Sequence, residues 1–389
     1  MKRHSPRILV CAKAFPPAIG GVETYSEHVA RAYAGCGCSP LVLTAFEGPL
    51  GWQERHYKEG IVRIFNVGVG TQPMVFARML RHARHILRTE QFDFLHATTW
   101  RPALALLPWR NRKPLVITVH GREVLIVPKP LKPLMTLALR SAQMVVAVSR
   151  ATKSAAAQAL SGAVNTEGWT VAFNGISYRI EAEASPERLP AKERIIYSFC
   201  RLEERKNIHR AVRALSILKQ RGIGGFRYLI AGRGPEYNRV AQLIEEFSLD
   251  DTVKMLGYLD DDEIVDRYRE ADIFLHPQTA AKDGKDIEGF GLVIADAMSF
   301  GAAAIVGSAG GPADFVRDGT TGLVVDGEEA DEIADALARL LLTPNLLAAI
   351  QREGRAWVLN KLSWDTHVTT ILDGISPVER EMPAAVKRV

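Results

Sequence analysis

The 389-residue sequence contains four cysteines and no apolar run that approaches the roughly 20 residues needed to span a bilayer. Its first residues, M-K-R-H-S-P-R, lead directly into a strand-like segment, without the apolar core of a signal peptide. These absences predict a protein that stays in the cytosol. Cys36 and Cys38 form a C-x-C pair without the further Cys or His residues that a zinc site requires, and Cys11 and Cys200 lie in apolar runs, where buried free thiols are expected.

Acidic residues are scarce in the first half of the chain. Residues 1–180 hold 23 Lys and Arg against 9 Asp and Glu, whereas residues 181–389 hold 26 against 35. The net charge of +5 therefore combines a half of +14 with a half of −9. This asymmetry predicts that the N-terminal half faces an anionic partner such as a phospholipid surface, a phosphorylated acceptor or nucleic acid.

Two segments of the basic half combine cations with apolar residues. Residues 74–88 read M-V-F-A-R-M-L-R-H-A-R-H-I-L-R, with Arg78, Arg81, Arg84 and Arg88 at helical spacing, and residues 124–140 have a similar mixture. Two interpretations remain open at this point. The segments are either core-facing helices with a solvated basic rim or surfaces that dock on an anionic membrane.

Short apolar stretches alternate with helical patterns in two successive runs. The predicted strands of the first run are residues 8–12, 41–45, 61–67, 92–97, 115–119 and 144–148, and those of the second are residues 195–199, 228–231, 253–256, 273–275, 302–306 and 323–325. A polar segment with two prolines separates the runs at residues 180–192. The pattern predicts an α/β protein with two doubly wound parallel sheets, and ligands of such sheets bind at the carboxyl ends of the strands.

The segment E-G-F-G-L-V-I-A-D places Glu288 and Asp296 on either side of a Gly-Phe-Gly turn and the start of a helix. Backbone N–H groups at a helix N-terminus can hold a sugar or phosphate oxygen, and a carboxylate can accept from the two hydroxyls of a ribose. The segment therefore indicates a nucleotide-sugar site. The alternative is an acidic helix start that the helix dipole favours.

Other turns after predicted strands carry residues suited to an anionic ligand. Gly20 and Gly21 precede a helix and allow backbone amides to approach a phosphate closely, or they only make a tight turn. His120 ends a strand at the predicted cleft. Arg201 and Lys206 lie five residues apart on the first loop of the second run, where two cations could neutralise a pyrophosphate without a metal.

Three consecutive aspartates, residues 260–262, resemble a metal-binding D-x-D motif. They stand at the beginning of an amphipathic helix pattern, where acidic capping residues are common. The sequence therefore predicts a helix cap at this position and no metal site.

The ordered set of these motifs resembles the retaining glycosyltransferases of family 4, which have the GT-B fold. The resemblance covers almost the whole chain, and K-D-I-E-G-F-G is similar to the branch that includes phosphatidylinositol mannoside mannosyltransferases. The motifs that carry it are Gly20-Gly21, His120-Gly121, Asn174-Gly175, Arg201 with Lys206, Gly232-Arg233-Gly234, Glu288 to Gly291 with Asp296, and Gly310-Gly311.

The resemblance implies a role for each site residue. Arg201 and Lys206 would bind the donor diphosphate, Glu288 would hold hydroxyls of the transferred sugar, and His120 would lie beside the reacting carbon and donate toward the sugar. The remaining donor contacts would come from the amides of Phe290 and Gly291 near the sugar, Gly20 and Gly21 near the phosphates, the Leu259 backbone near the base and Asp296 at the ribose.

Two positions depart from the family pattern. Asp296 and Asp314 stand where the family usually has Glu. Aspartate keeps the negative charge but is one methylene shorter, so the contact with the ribose would require a deeper nucleotide or a bridging water. The cationic pair is intact, and we expect an active enzyme.

The resemblance also implies the domains and the reaction. An acceptor-binding Rossmann-like domain would span residues 1–180, a nucleotide-sugar-binding domain residues 190–362, and a C-terminal helix at about residues 363–389 would pack back on the first domain. A hexose would move from a GDP- or UDP-hexose to a lipid-linked or glycan acceptor in cell-envelope or polysaccharide biosynthesis, with retention, without metal or cofactor and without nucleic acid as a partner. Peripheral contact with the inner face of the cell membrane is expected.

Two other functions remain open from the sequence alone. A GT-B sugar-nucleotide epimerase would use a similar cleft, but it requires acid and base carboxylates in both halves, and the N-terminal half has only Glu23 and Glu123 near the predicted site loops. A catalytically weak module that binds nucleotide sugars is the other alternative.

Overall fold

The computed structural model of the chain describes residues 5–178 and 193–375. The predicted linker at residues 180–192 lies wholly outside the described residues, as does the end of the predicted C-terminal segment, residues 376–389. The described residues form two α/β halves, each built around its own sheet.

The first sheet has eight strands: β1 Arg7–Cys11, β2 Ser39–Thr44, β3 Gly51–Tyr57, β4 Gly60–Asn66, β5 Phe94–Ala97, β6 Leu115–Val119, β7 Met144–Ala147 and β8 Thr170–Val171. Their order in space is β3-β4-β2-β1-β5-β6-β7-β8, and only the pairing of β3 with β4 is antiparallel. The helices of this half are α1 Gly21–Gly35, α2 Gln72–Thr89, α3 Trp100–Ala103, α4 Arg122–Leu125, α5 Lys132–Ser141 and α6 Arg150–Ala159.

The second sheet has six parallel strands: β9 Arg194–Phe199, β10 Phe226–Ala231, β11 Val253–Gly257, β12 Ile273–His276, β13 Ala303–Gly307 and β14 Gly322–Val325. Their order in space is β11-β10-β9-β12-β13-β14. The helices that follow β9 are α7 Ile208–Gln220, α8 Tyr237–Glu246, α9 Asp261–Glu270, α10 Ala281–Gly284, α11 Leu292–Ser299, α12 Ala330–Leu342, α13 Pro344–Lys361 and α14 Trp364–Ile375.

Burial on both faces explains why the central strands read as continuous apolar runs. Every residue of β6 is buried, and the same holds for β5, β7, β12 and β13. The predicted doubly wound α/β organisation is confirmed. Strands β3 and β8 were not predicted, because β3 is a half-exposed edge strand with a charged sequence and β8 has only two residues.

Helix α2 confirms the predicted helix at residues 74–88. It buries Met79, Ala83 and Ile86 against the first sheet. The other basic segment is interrupted: α4 and α5 are separated by a turn that contains Pro128 and Pro130, because proline lacks the N–H that continues a helix.

The chain crosses between the two halves after β8 and again between α13 and α14. The crossings are hydrogen-bonded to each other: the indole N–H of Trp364 donates to the Ile176 carbonyl at 2.9 Å, and the Ile176 amide donates to the Leu362 carbonyl at 3.3 Å. Helix α14 then packs against α1 of the first half and buries Val368 and Ile371 there. The last described helix thus completes the core of the first half.

Candidate functional site

The carboxyl ends of both sheets' strands face each other, and a cluster of charged residues lies between them. Its centre is Glu288, in the loop before α11. One carboxylate oxygen of Glu288 accepts from the guanidinium of Arg205 at 2.6 Å and from the ammonium of Lys206. Although burial raises the pKa of Glu288, these two cations lower it well below its usual range. Glu288 is therefore ionised near neutral pH.

Arg201 differs from Lys206 in its surroundings. Its side chain is 70% exposed, and its Nε lies 3.3 Å from a carboxylate oxygen of Glu203. The Lys206 side chain, in contrast, is only 9% exposed. The two predicted phosphate ligands thus lie on one loop, but Lys206 is anchored inside the site and Arg201 extends from it into solvent.

Arg205 belongs to the same cluster, although it was not predicted. Its guanidinium lies 3.3 Å from Glu203 and 3.3 Å from Asp286, in addition to its hydrogen bond with Glu288. The charged run E-E-R-K does not indicate in the sequence which of its side chains face the site. Only the short helical turn at Glu204–Lys206, which directs Arg205 and Lys206 inward together, shows their common role.

His276, at the end of β12, lies behind Glu288. Its Nε2 is 3.8 Å from the carboxylate, which is beyond hydrogen-bonding distance, and the side chain is fully buried. Burial lowers the pKa of His276 to about 4, so the ring is neutral near pH 7. His276 thus contributes a neutral polar wall to the site.

The first half approaches this cluster through a backbone contact. A Cβ on Gly289 would overlap the carbonyl oxygen of His120, so only glycine permits this approach. The Gly289 carbonyl also accepts hydrogen bonds from the hydroxyls of Ser149 at 2.6 Å and Thr152 at 3.2 Å. The Glu288 loop is therefore held directly against the strand ends of the first half.

Asp314 makes a second contact between the halves. Its carboxylate accepts a hydrogen bond of 2.9 Å from the Ala151 amide in the first turn of α6. An anion at a helix N-terminus is favourable because the first amides lack partners within the helix. The shorter acid at this position thus has a defined structural role.

The His120 ring is oriented by the first half. Its Nε2 lies 2.9 Å from the Thr98 carbonyl, and its ring is edge-on to Tyr25 with centroids 4.6 Å apart. Because a carbonyl only accepts, Nε2 carries the proton, and burial lowers the pKa of His120 so that the ring is neutral. In this arrangement Nδ1 can accept a hydrogen bond but cannot donate one. The resemblance, in contrast, implied that His120 donates toward the sugar. The predicted donation would require the ring to turn.

The predicted donor contacts from backbone groups lie on turns at the same cleft. Gly20 caps α1 and Gly21 begins it. Gly291, with φ of 87°, caps α11, and no described backbone carbonyl accepts from the amides of Phe290 or Gly291. Leu259 lies half-buried between β11 and α9. These positions do not test the donor contacts that the resemblance implies for these residues, and the contacts stay predictions.

Asp296 lies in the middle of α11 and is only 3% exposed. Its Oδ1 accepts a 2.6 Å hydrogen bond from the Ser177 amide, on the first crossing between the halves. Burial raises the pKa of Asp296 to about 7, and the Ser177 hydrogen bond lowers it by a smaller amount. As the structure stands, Ser177 covers the carboxylate that was predicted to contact a ribose.

The D-x-D-like sequence is a helix cap, as predicted. The Asp260 carboxylate accepts from the Glu263 amide, and Glu263 accepts from the Asp260 amide, which is a complete capping box. Within residues 5–178 and 193–375, no group of three or more His, Cys, Asp or Glu side chains could hold a metal ion.

We predict that Gly289→Ala will open the cleft without unfolding either half. The new methyl group would overlap the His120 carbonyl, and overpacking typically costs about 1–3 kcal/mol. We expect a larger radius of gyration by small-angle scattering. Gly224→Ala is the matched control, because a Cβ there meets no atom within 4 Å. An unchanged scattering profile for Gly289→Ala would contradict the observed closure.

Comparisons with known proteins agree with this architecture. Residues 19–177 match the family model for Glycosyltransferase Family 4, and residues 179–357 match the model for Glycosyl transferases group 1. The chain is 28% identical over 381 residues to the GDP-mannose-dependent alpha-(1-6)-phosphatidylinositol monomannoside mannosyltransferase of Mycobacterium tuberculosis, covering 94% of this chain and 97% of that protein.

Solved structures show the same fold. A sucrose-phosphate synthase from Thermosynechococcus elongatus superposes with a TM-score of 0.74 at 20% identity, covering 95% of this chain and 98% of that one. Anabaena HepE, in complex with UDP and glucose, has a TM-score of 0.73 at 22% identity and covers 95% and 99%. The predicted GT-B fold is confirmed.

Proposed function

Because this chain belongs to glycosyltransferase family 4 and is a hexosyltransferase, we propose that it transfers mannose from GDP-mannose to a glycolipid acceptor of the cell envelope. The observation that carries the proposal is the convergence of Lys206 and Arg205 on Glu288, opposite the backbone of His120. A site with two inner cations and one sugar-binding carboxylate suits a donor that leaves as a diphosphate.

The proposed reaction keeps the anomeric configuration and uses no metal. Glu288 and the donor diphosphate would compete for the same cations, so the arriving phosphates would take Lys206 and free Glu288 for the sugar hydroxyls. Arg201, which is exposed and extends from the same loop, would close on the phosphates from outside. As the bond from the anomeric carbon to the phosphate oxygen breaks, the phosphate would accept the proton of the acceptor hydroxyl, and the new glycosidic bond would form on the same face.

Support for GDP-mannose comes from relatives that match almost the whole chain. The mannosyltransferase of Mycolicibacterium smegmatis, also named as GDP-mannose-dependent, is 27% identical over 380 residues. A thermal-shift screen against GDP, UDP and their sugars tests the choice, because a ligand that binds the folded state raises the Tm. Stabilisation by GDP-mannose together with mannosyl transfer to a glycolipid supports it. Stabilisation by UDP-sugars alone would overturn the choice of donor.

The surface proposed to meet the acceptor's membrane lies on the first half and combines exposed apolar residues with free cations. The apolar members, which we call the α2 patch, are Leu50, Trp52, Val69, Met74 and Phe76, and each is 39–71% exposed. No described carboxylate pairs with Arg81, Arg84 or Arg88 on α2. Such a surface fits peripheral contact with an anionic bilayer from the cytosolic side. Among the described residues no single helix could span a membrane, although one sharply bent pair, Ala330–Leu342 with Pro344–Ile375, meets the length and composition criteria together.

We predict that replacing Arg81, Arg84 and Arg88 together with Gln will weaken binding to acidic liposomes by up to about 3 kcal/mol, because each near-surface cation contributes about 1 kcal/mol. Arg78 is retained, since it donates to the carbonyls of Val67 and Val69 and holds the fold. Flotation with neutral and acidic liposomes measures the change, and salt should weaken the wild-type binding.

The matched control replaces three exposed cations of the acidic half, Arg213, Lys254 and Arg339, with Gln. This control changes the total charge equally but keeps Arg81, Arg84 and Arg88 on α2. Equal flotation of both triple variants would mean that the basic face does not dock on membranes. Donor hydrolysis should survive in both variants.

A further inference from the structure

A chain of buried hydrogen bonds connects helix α14 to strand β6, which His120 directly follows. His367 on α14 places Nδ1 3.1 Å from the Phe173 carbonyl and Nε2 2.9 Å from the Tyr25 hydroxyl. The same hydroxyl lies 2.8 Å from Thr118 Oγ1 on β6. Tyr25, Thr118 and His367 are each at most 1% exposed. We call His367, Tyr25 and Thr118 the α14 relay.

Elementary donor and acceptor rules fix the direction of every proton in the relay. The Phe173 carbonyl only accepts, so His367 carries its proton on Nδ1, and burial lowers the pKa of His367 to about 4, which keeps the ring neutral. Nε2 must then accept from the Tyr25 hydroxyl. Tyr25 has no second proton, so its oxygen accepts from Thr118.

The chain continues away from the site through two more buried groups. The Thr118 oxygen accepts from His96 Nε2 at 2.9 Å, and His96 Nδ1 accepts from the Tyr33 hydroxyl at 3.0 Å. Each polar atom named thus has a partner in a single arrangement of protons. Networks that are fully satisfied in one arrangement hold their members rigidly.

The relay begins at the crossings between the two halves. Phe173 lies on the first crossing, and His367 follows the second, where the Trp364 indole donates to the Ile176 carbonyl. A Cβ on Gly175 would overlap the backbone nitrogen and the indole ring of Trp364, so the two crossings pack closely against each other. His367 and its acceptor, the Phe173 carbonyl, thus lie at the segments that connect the two halves.

The relay ends beside His120. Thr118 lies on β6, two residues before His120, which directly follows that strand. The Tyr25 ring lies edge-on against the His120 ring with centroids 4.6 Å apart. We propose that Tyr25 and His367 are positioning residues for His120, which couple the docking of α14 at the crossings to the placement of His120 at the cleft. The catalytic meaning of this placement rests on the proposed function.

The test compares Tyr25→Phe with Tyr33→Phe. Both remove one hydroxyl from a fully buried tyrosine, but only Tyr25 contacts the His120 ring. We expect Tyr25→Phe to lower kcat for mannosyl transfer about 10- to 100-fold, since small misplacements of reacting groups cost that much. KM for GDP-mannose should change by less than about twofold. Tyr33→Phe should lower the Tm similarly but keep kcat near that of the wild type.

Variants of His367 provide a rescue. His367→Phe removes both hydrogen bonds and should resemble Tyr25→Phe in kcat, whereas His367→Gln keeps one donor and one acceptor and should recover most of the activity. Equal kcat in the Tyr25 and Tyr33 variants, or no difference between Gln and Phe at position 367, would overturn the proposal.

A measurement without substrate separates this inference from the proposed function. The Tyr25 ring current acts on the His120 ring protons, so their NMR shifts should change in His367→Phe and remain as in the wild type in Tyr33→Phe. Unchanged His120 shifts in His367→Phe would overturn the positioning role. Failure of the wild type to use any sugar donor would count against the proposed function alone.

Discussion

Replacing Lys206 with Ala should lower kcat/KM for sugar transfer by about 10²-fold or more, equivalent to about 2.7 kcal/mol of transition-state stabilisation. Lys206 is the buried cation of the cluster and contacts Glu288 directly. Its loss would remove the positive charge that stabilises the negative charge developing on the leaving diphosphate. Steady-state kinetics with GDP-mannose measures the effect. Lys206→Met separates charge from packing, because it keeps most of the side-chain volume.

Arg201→Ala should cause a loss of activity of similar size but leave the Tm unchanged, because its side chain is mostly exposed. Lys206→Ala should lower the Tm as well, since it leaves Glu288 with one cation fewer. Arg227→Ala is the control: this exposed residue pairs with Glu193 away from the cleft. Activity near that of the wild type in both the Arg201 and Lys206 variants would refute the assignment of the phosphate ligands.

Asp296→Asn should make the folded protein more stable and the nucleotide site weaker. The pKa of Asp296 is about 7 in the fold against an ordinary value of 3.8, so the folded state binds more protons than the unfolded state between these values, and stability falls as the pH rises through that range. Above pH 7 the ionised carboxylate costs up to about 4 kcal/mol, which Asn avoids while still accepting from the Ser177 amide.

The gain in Tm for Asp296→Asn should therefore be small near pH 4 and largest near pH 8. Affinity for GDP should fall by about 1–3 kcal/mol if the carboxylate holds the ribose, and Asp296→Glu should bind normally. Asp262→Asn, in the exposed first turn of α9, controls for loss of charge. Calorimetry and thermal melts across pH measure both effects. Unchanged GDP affinity would leave Asp296 as a helix residue with no part in donor binding.

Local patterns in the sequence were sufficient for the fold and for the placement of the predicted site loops at strand ends. Continuous apolar runs predicted the central strands, and the glycine pairs and Glu288 turn indicated where they end. Arg205 was missed because its role depends on which way one short turn faces. The hydrogen bond from Ser177 to Asp296 was missed because the two residues are 119 positions apart in the sequence. Tyr25 and His367 are hydrogen-bonded although they are 342 positions apart. Contacts of such separation leave no periodic signal in a single sequence.

The return of α14 to the first half sets the order in which the protein can be completed during synthesis. The first sheet leaves the ribosome early, but its core lacks Val368 and Ile371, and Tyr25 lacks the acceptor on His367, until α14 has been translated. The second half, whose strands and packing helices lie between residues 193 and 361, has all its parts earlier. The half that is made first is thus completed after the second half, and its nascent form exposes apolar surface until α14 has been made.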